Sequence, residues 1–197
     1  MNNNILDIFS SLLDSNIDKI QDSLGEKDKK NEILSAASVA LPTMLEALNK
    51  NTNSKDGAKS LADALEKDHD GTKLNDVGSL ISNYQSENGT GILKHMFGDK
   101  ESQVTNTISK SSGLDTSSTL KLMSMLAPLV LEYLGKTKKE QNLDADGVSG
   151  LTTMISGFLG SSNHGNIMET ITNLLDSNKD CNVMDDAVNL VGKCFKK

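Results

Sequence analysis

Apolar positions along this 197-residue chain recur at three- and four-residue spacing almost throughout. In residues 5–24 they fall at Ile5, Leu6, Phe9, Leu12, Leu13, Ile17, Ile20 and Leu24. That is one stripe of a 3.6-residue helix, with Gly25 placed to end it in a left-handed C-cap. The charged EKDKKNE stretch precedes a second stripe of Ile33, Leu34, Ala37, Leu41, Met44, Leu45 and Leu48. Pro42 lies inside this stripe and is expected to kink or break the helix. A third, shorter helix is predicted over residues 54–65, with Leu61 and Leu65 inward, and a fourth from Leu74 to about Tyr84. SENGTG reads as a flexible joint. After it, ILKHMFG forms a short amphipathic turn carrying Ile92, Met96 and Phe97.

The second half starts weakly, with Val104 and Ile108 in a polar stretch, and then strengthens. Asp115 is placed to N-cap a long helix running to about Lys136. QNLDADG is a loop, and helices are predicted over residues 148–159, 167–175 and 183–195. No period-two alternation occurs, so the predicted fold class is all-α.

Three landmarks recur in the same order. ALPTMLEAL (40–48) and LAPLVLEYL (126–134) share a proline with a glutamate four residues on. DGAKSLADAL follows the first and DGVSGLTTMI the second, and an acidic loop follows each of these. The pattern predicts a tandem-duplicated helical repeat, with about four helices per half packed as one bundle. The first half is residues 1–98 and the second 99–197, with the joint near Gly98. Repeated helical units bury their apolar faces on each other.

Composition narrows the partners. The chain carries 20 basic and 27 acidic side chains, a formal charge of −7. Every basic residue is lysine. Base and bidentate phosphate readout relies heavily on arginine, so no nucleic-acid partner is expected. An acidic surface repels anionic membranes. The longest apolar run, residues 120–134, is interrupted by Lys121 and Glu132 and is too short to span a bilayer. The first residues show no basic segment before an apolar one, so a secretory leader is not expected here and a cytoplasmic location is. Cys181 and Cys194 make no disulfide framework and read as free thiols near the core.

The two acidic loops are the most polar and most patterned places. Residues 66–76 (EKDHDGTKLND) offer Glu66, Asp68, Asp70, Thr72 and Asp76. Residues 176–186 (DSNKDCNVMDD) offer Asp176, Asn178, Asp180, Asn182 and Asp186. Oxygen-bearing side chains at alternate positions, with a glycine at Gly71, suit a hard cation such as Ca²⁺. Against this, Val77 and Ala187 stand where an EF-hand loop needs its bidentate glutamate, and Cys181 stands at the glycine position of the second loop. The simpler reading is capping. Thr72 or Asn182 would be an N-cap, Asp76, Asp185 and Asp186 would sit in the first turn of a following helix, and Asp70-Gly71 would make a turn.

Nothing else points to chemistry. The histidines His69, His95 and His164 lack metal-ligand spacing. There is no nucleophile elbow, phosphate-binding glycine loop or CxxC. The methionines fall at helical spacing and read as core. LKHMFG, flanked by glycines, reads alternatively as a docking helix for a partner or a second copy, through Ile92, Met96 and Phe97.

Taken in order, LPTMLEAL, DGAKSLADAL, EKDHDGTKLNDVGSLI, GTGILKHMFG, SGLDTSSTLKLMSMLAPLVLEYLGK and LLDSNKDCNVMDDAVNLVGKCF resemble the YidB-like family of bacterial proteins, a domain of unknown function (DUF937). The resemblance implies an all-helical, soluble bacterial protein with no established activity. In its last loop the family pattern carries a glycine where this chain has Cys181. The expectation drawn from the sequence is a non-enzymatic helical scaffold or interaction protein that self-associates or binds a protein partner and needs no cofactor. The alternative is a module bound or stabilised by Ca²⁺ through its acidic loops.

Overall fold

A computed structural model describes residues 5–159, 169–170 and 173–175. These residues are all-α: nine α-helices and no strand among them. The first stripe forms two helices rather than one, α1 (Ile5–Ser15) and α2 (Ile17–Leu24). Between them the Asn16 side-chain amide donates to the Leu12 carbonyl at 2.8 Å, competing locally with the helix ladder. The apolar stripe carries on across the break, with Phe9, Leu13, Ile17 and Ile20 all buried. Gly25 then closes α2 at φ 76°, as its position suggested.

Two long helices form the centre. They are α3 (Lys30–Thr52) and α8 (Thr116–Gln141), and each runs unbroken through its proline, Pro42 or Pro128. Both are buried on nearly every side in their middle turns, so tertiary packing outweighs the lost backbone hydrogen bond. α4 (Lys55–Lys67) is N-capped by Ser54, whose hydroxyl accepts from the Gly57 N–H at 3.0 Å. A 3-10 turn (Thr72–Asp76) leads into α5 (Val77–Ser82). Asn88, at φ 55°, opens α6 (Gly89–Phe97), so the second half of the expected SENGTG joint is already helix. A 3-10 turn (Gly98–Lys100) joins α6 to α7 (Glu101–Ser112). Asp115 caps α8 as expected, accepting from the Ser118 N–H at 3.0 Å. α9 (Ala145–Leu159) follows.

α3 packs against α4, α7, α8 and α9, while α8 packs against α2, α4, α5, α6 and α7. One contiguous core results, from Phe9 through Met44, Leu65, Phe97 and Met125 to Leu175. Each fully buried side chain of this size contributes about 1.5–3 kcal/mol. Phe9 and Tyr133 meet at a ring-centroid distance of 5.6 Å and a tilt of 56°. The described part of the expected 167–175 helix is helical, and the Leu175 carbonyl accepts from Lys100 Nζ at 2.8 Å. The expected helix over 183–195 lies outside the described residues. A tandem repeat is not shown by these helices: residues 5–98 hold six of the nine. None of the described helices is long and apolar enough to cross a membrane.

Candidate functional site

The first acidic loop and the last turns of α8 make a polar corner, and a buried carboxylate fastens it. Glu132 lies on α8, one turn past Pro128, and is completely buried. Burial of a carboxylate needs partners, and the loop supplies them. His69 Nδ1 stands 3.1 Å from Glu132 Oε1, the Gly71 N–H donates to Glu132 Oε2 at 3.0 Å, and Lys73 Nζ is 3.9 Å from Oε1. His69 itself is only 8% exposed. Lys73 is held in turn by Glu87 at 2.5 Å, a contact that raises the ammonium pKa.

Two glycines make this approach possible. A Cβ at Gly135 would stand 1.6 Å from the His69 carbonyl oxygen, so the loop backbone lies directly on α8. Gly71 sits at φ 88°, a left-handed backbone that glycine tolerates, and a Cβ there would be 2.4 Å from Lys136 Cβ. The loop is thus joined to α8 by close backbone contact and by the carboxylate.

The expected cation ligands do not converge. Glu66 turns to Lys138 at 3.0 Å, which lowers its pKa. Asp70 accepts from the Thr72 hydroxyl at 2.7 Å and backbone N–H at 3.1 Å, and from Lys139 Nζ at 3.0 Å. Chiefly through the Thr72 hydroxyl, and then through Lys139, the Asp70 carboxyl falls from an ordinary 3.8 to about 2. Asp68 ends α4 as its C-cap and is exposed. Asp76 accepts from the Ser79 N–H at 2.9 Å as the N-cap of α5, a role the sequence reading gave to Thr72. Thr72 instead opens the 3-10 turn. No cluster of three or more His, Cys, Asp or Glu fit to hold a metal occurs among the described residues. The oxygens of the first loop go to lysines, a turn and a helix cap. Asp176, Asn178, Asp180, Asn182 and Asp186 of the second loop lie outside the described residues.

The side chains expected to dock a partner face inward. Ile92, Met96 and Phe97 are 8%, 3% and 1% exposed, on a helix packed against α8 and α3. They belong to the core. What lies open instead is a cleft of about 380 Å³ between the C-terminal ends of α4 and α8. Leu65, Gly135, Leu143 and Asn142 line it, with Glu66, Asp70, Lys138 and Lys139 among its charged groups. The two ion pairs Glu66–Lys138 and Asp70–Lys139 cross from the α4 side to α8.

The family model of a bacterial protein of unknown function, DUF937, matches residues 7–137. The chain belongs to that family. The DUF937 match spans α1 through most of α8, and so includes the loop, Glu132 and Gly135, but it stops before α9 and the acidic segment 176–186. The resemblance read in LLDSNKDCNVMDDAVNLVGKCF is therefore not part of the matched stretch. No curated protein and no solved structure matches the chain.

Glu132 and His69 are what sequence reasoning missed. The signal was present in part, as a lone carboxylate inside the apolar run LAPLVLEYL. Its partner is 63 residues away, a distance no helical period reports.

Proposed function

We propose that this DUF937 protein is a non-enzymatic helical interaction protein whose binding surface is the cleft between α4 and α8. The observation that supports this reading is the make-up of that cleft. The half-buried Leu143 contributes apolar surface, two lysines and two carboxylates pair across the cleft, and the corner beneath is fastened by the buried Glu132. The Asp70–Lys139 pair is the more exposed of the two and adds little to the fold. Its groups can therefore exchange partners with an incoming polar peptide at small cost.

The tandem duplication belongs to the same proposal. In each half a glutamate four residues past the central proline reaches across to the other half: Glu46 accepts from the Ser156 hydroxyl of α9, and Glu132 is held by the loop after α4. Two copies of one unit, exchanging their short helices over one core, would produce that reciprocity. We place the protein in the cytoplasm.

The test is affinity capture from bacterial lysate with the wild-type chain and with Lys138→Glu plus Lys139→Glu, each checked for an unchanged helical circular dichroism spectrum. Loss of the same captured protein in the double variant supports the cleft. An identical captured set contradicts it.

A further inference from the structure

We propose that Gly98 is the hinge of a half-for-half exchange between two copies of this chain. The side-chain hydrogen bonds between distant parts of the fold run mostly across residue 98. Thr52 Oγ1 meets Thr152 Oγ1 at 2.8 Å, the Thr153 hydroxyl donates to Asn49 at 3.0 Å, and the Ser118 hydroxyl donates to Glu26 at 3.1 Å. The His69–Glu132 contact and both ion pairs of the cleft also cross it. Much of the packing also crosses it: α3 rests on α7, α8 and α9 besides α1, α4 and α6 of its own half, and α8 rests on α2, α4, α5 and α6 besides α7. The surface that each half presents is therefore complementary to the other half, and a second copy carries the same complement.

The covalent connection between the halves is short. α6 ends at Phe97, three residues turn the chain, and α7 begins at Glu101. The turn depends on Gly98, at φ 55° and ψ −135°, a backbone that side chains disfavour. A Cβ at Gly98 would meet nothing within 4 Å. A substitution there consequently acts through the backbone alone. Alanine strains the turn and favours helix, so that residues 89–112 run on as one helix of about 36 Å. The two halves of one chain then separate, and each closes on the complementary half of a second copy. The closed monomer and the exchanged dimer share the interface between halves and differ at the hinge, so strain introduced there, as by alanine, shifts the balance toward swapping. Each cleft of the dimer then takes His69, Glu66 and Asp70 from one copy and Glu132, Lys138 and Lys139 from its partner.

Two full-length chains test this, both with Gly98→Ala, Cys181→Ser and Cys194→Ser, one carrying Thr52→Cys and the other Thr152→Cys. They are unfolded together in urea, refolded at high concentration and oxidised. The exchange predicts a dimer by light scattering and a covalent dimer on a non-reducing gel, because positions 52 and 152 then lie together only between chains. Gly98→Ala should raise the dimer-to-monomer ratio roughly fivefold or more over the same pair with Gly98 retained. A single chain with both cysteine substitutions, oxidised as a monomer, shows that the two positions can be bridged. Monomer alone in both pairs, or a dimer without the 52–152 cross-link, overturns the proposal. Should Gly98→Ala fail to fold, the Gly98 pair decides: a 52–152 cross-link after co-refolding supports exchange and its absence overturns it.

Discussion

Gly135 of α8 and the carbonyl of His69 are in backbone contact, close enough that a Cβ on residue 135 would stand 1.6 Å from the oxygen. The loop after α4 can lie on α8 only because that position has no side chain. Gly135→Ala raises helix propensity, which alone would stabilise by about 1 kcal/mol. The clash outweighs it, because the obstacle is main chain and must move as a unit. The expected net loss is about 1–3 kcal/mol, the usual cost of overpacking. Urea unfolding of the variant checks it, and amide shifts confined to residues 68–73 would mark the displaced loop.

Acid should weaken the protein through two depressed aspartates. The Asp115 carboxyl, hydrogen-bonded first by the Ser118 N–H, falls from an ordinary 3.8 to about 2, and Asp70 does the same through Thr72 and Lys139. Both folded values lie below the unfolded ones, so their stabilisation is whole above about pH 4 and is lost as pH falls toward 2. Asp115→Asn keeps a capping oxygen and removes that titration. Its stability should decline less between pH 4 and 2 than that of the wild type, measured by denaturant midpoints across the range. Asp115→Ala, which removes the cap itself, should cost about 1 kcal/mol at neutral pH.

Met96→Ser with Phe97→Ser reports on where α6 faces. A docking face would lose a partner and keep its fold. Both side chains are interior here, 3% and 1% exposed, so the double variant is expected to lose about 3–5 kcal/mol or more and to unfold near room temperature. Circular dichroism decides: native helicity with an unshifted melt would return these residues to the surface.

Calcium should not act through the first loop. Asp70 is occupied by Thr72 and Lys139, and Asp68 stands apart at the end of α4. Any difference between melts in EGTA and in millimolar Ca²⁺ should therefore be the same in Asp68→Ala plus Asp70→Ala as in the wild type. A Ca²⁺-dependent rise that vanishes in the variant would reinstate the loop as a cation site.

Local signals in the sequence were read well where the physics is local. The left-handed Gly25 and the Asp115 cap both depend on a few neighbouring atoms, and both appear where the residue pattern placed them. The all-helical class followed from periodicity in the same way. The break at Asn16 did not, because the buried face continues through it and only a side-chain hydrogen bond marks the interruption. Pro42 was expected to kink or break its helix, yet it sits in a continuous one, as Pro128 does in the long helix expected there, and burial exceeds the cost of one lost bond. The site was the least legible. Glu66, Asp70 and Asp76 look alike as a string of oxygens, and only the fold sends each to a different partner, Lys138, Lys139 and the Ser79 N–H. The α6 face was hard to read for a related reason: a short amphipathic helix has one apolar side, and the sequence does not say whether this chain or another covers it.

Glu132 is the buried fastener of the loop. Amide hydrogen exchange at Gly71, in the wild type and in Glu132→Ala, tests this most directly. The predicted result is a protected Gly71 amide in the wild type. In the variant its protection should be lost while core amides of α3 fall only by the global loss of stability, about 2–3 kcal/mol for the partners left unpaired. A Gly71 amide that exchanges freely in the wild type, or one whose protection survives the substitution, would contradict it.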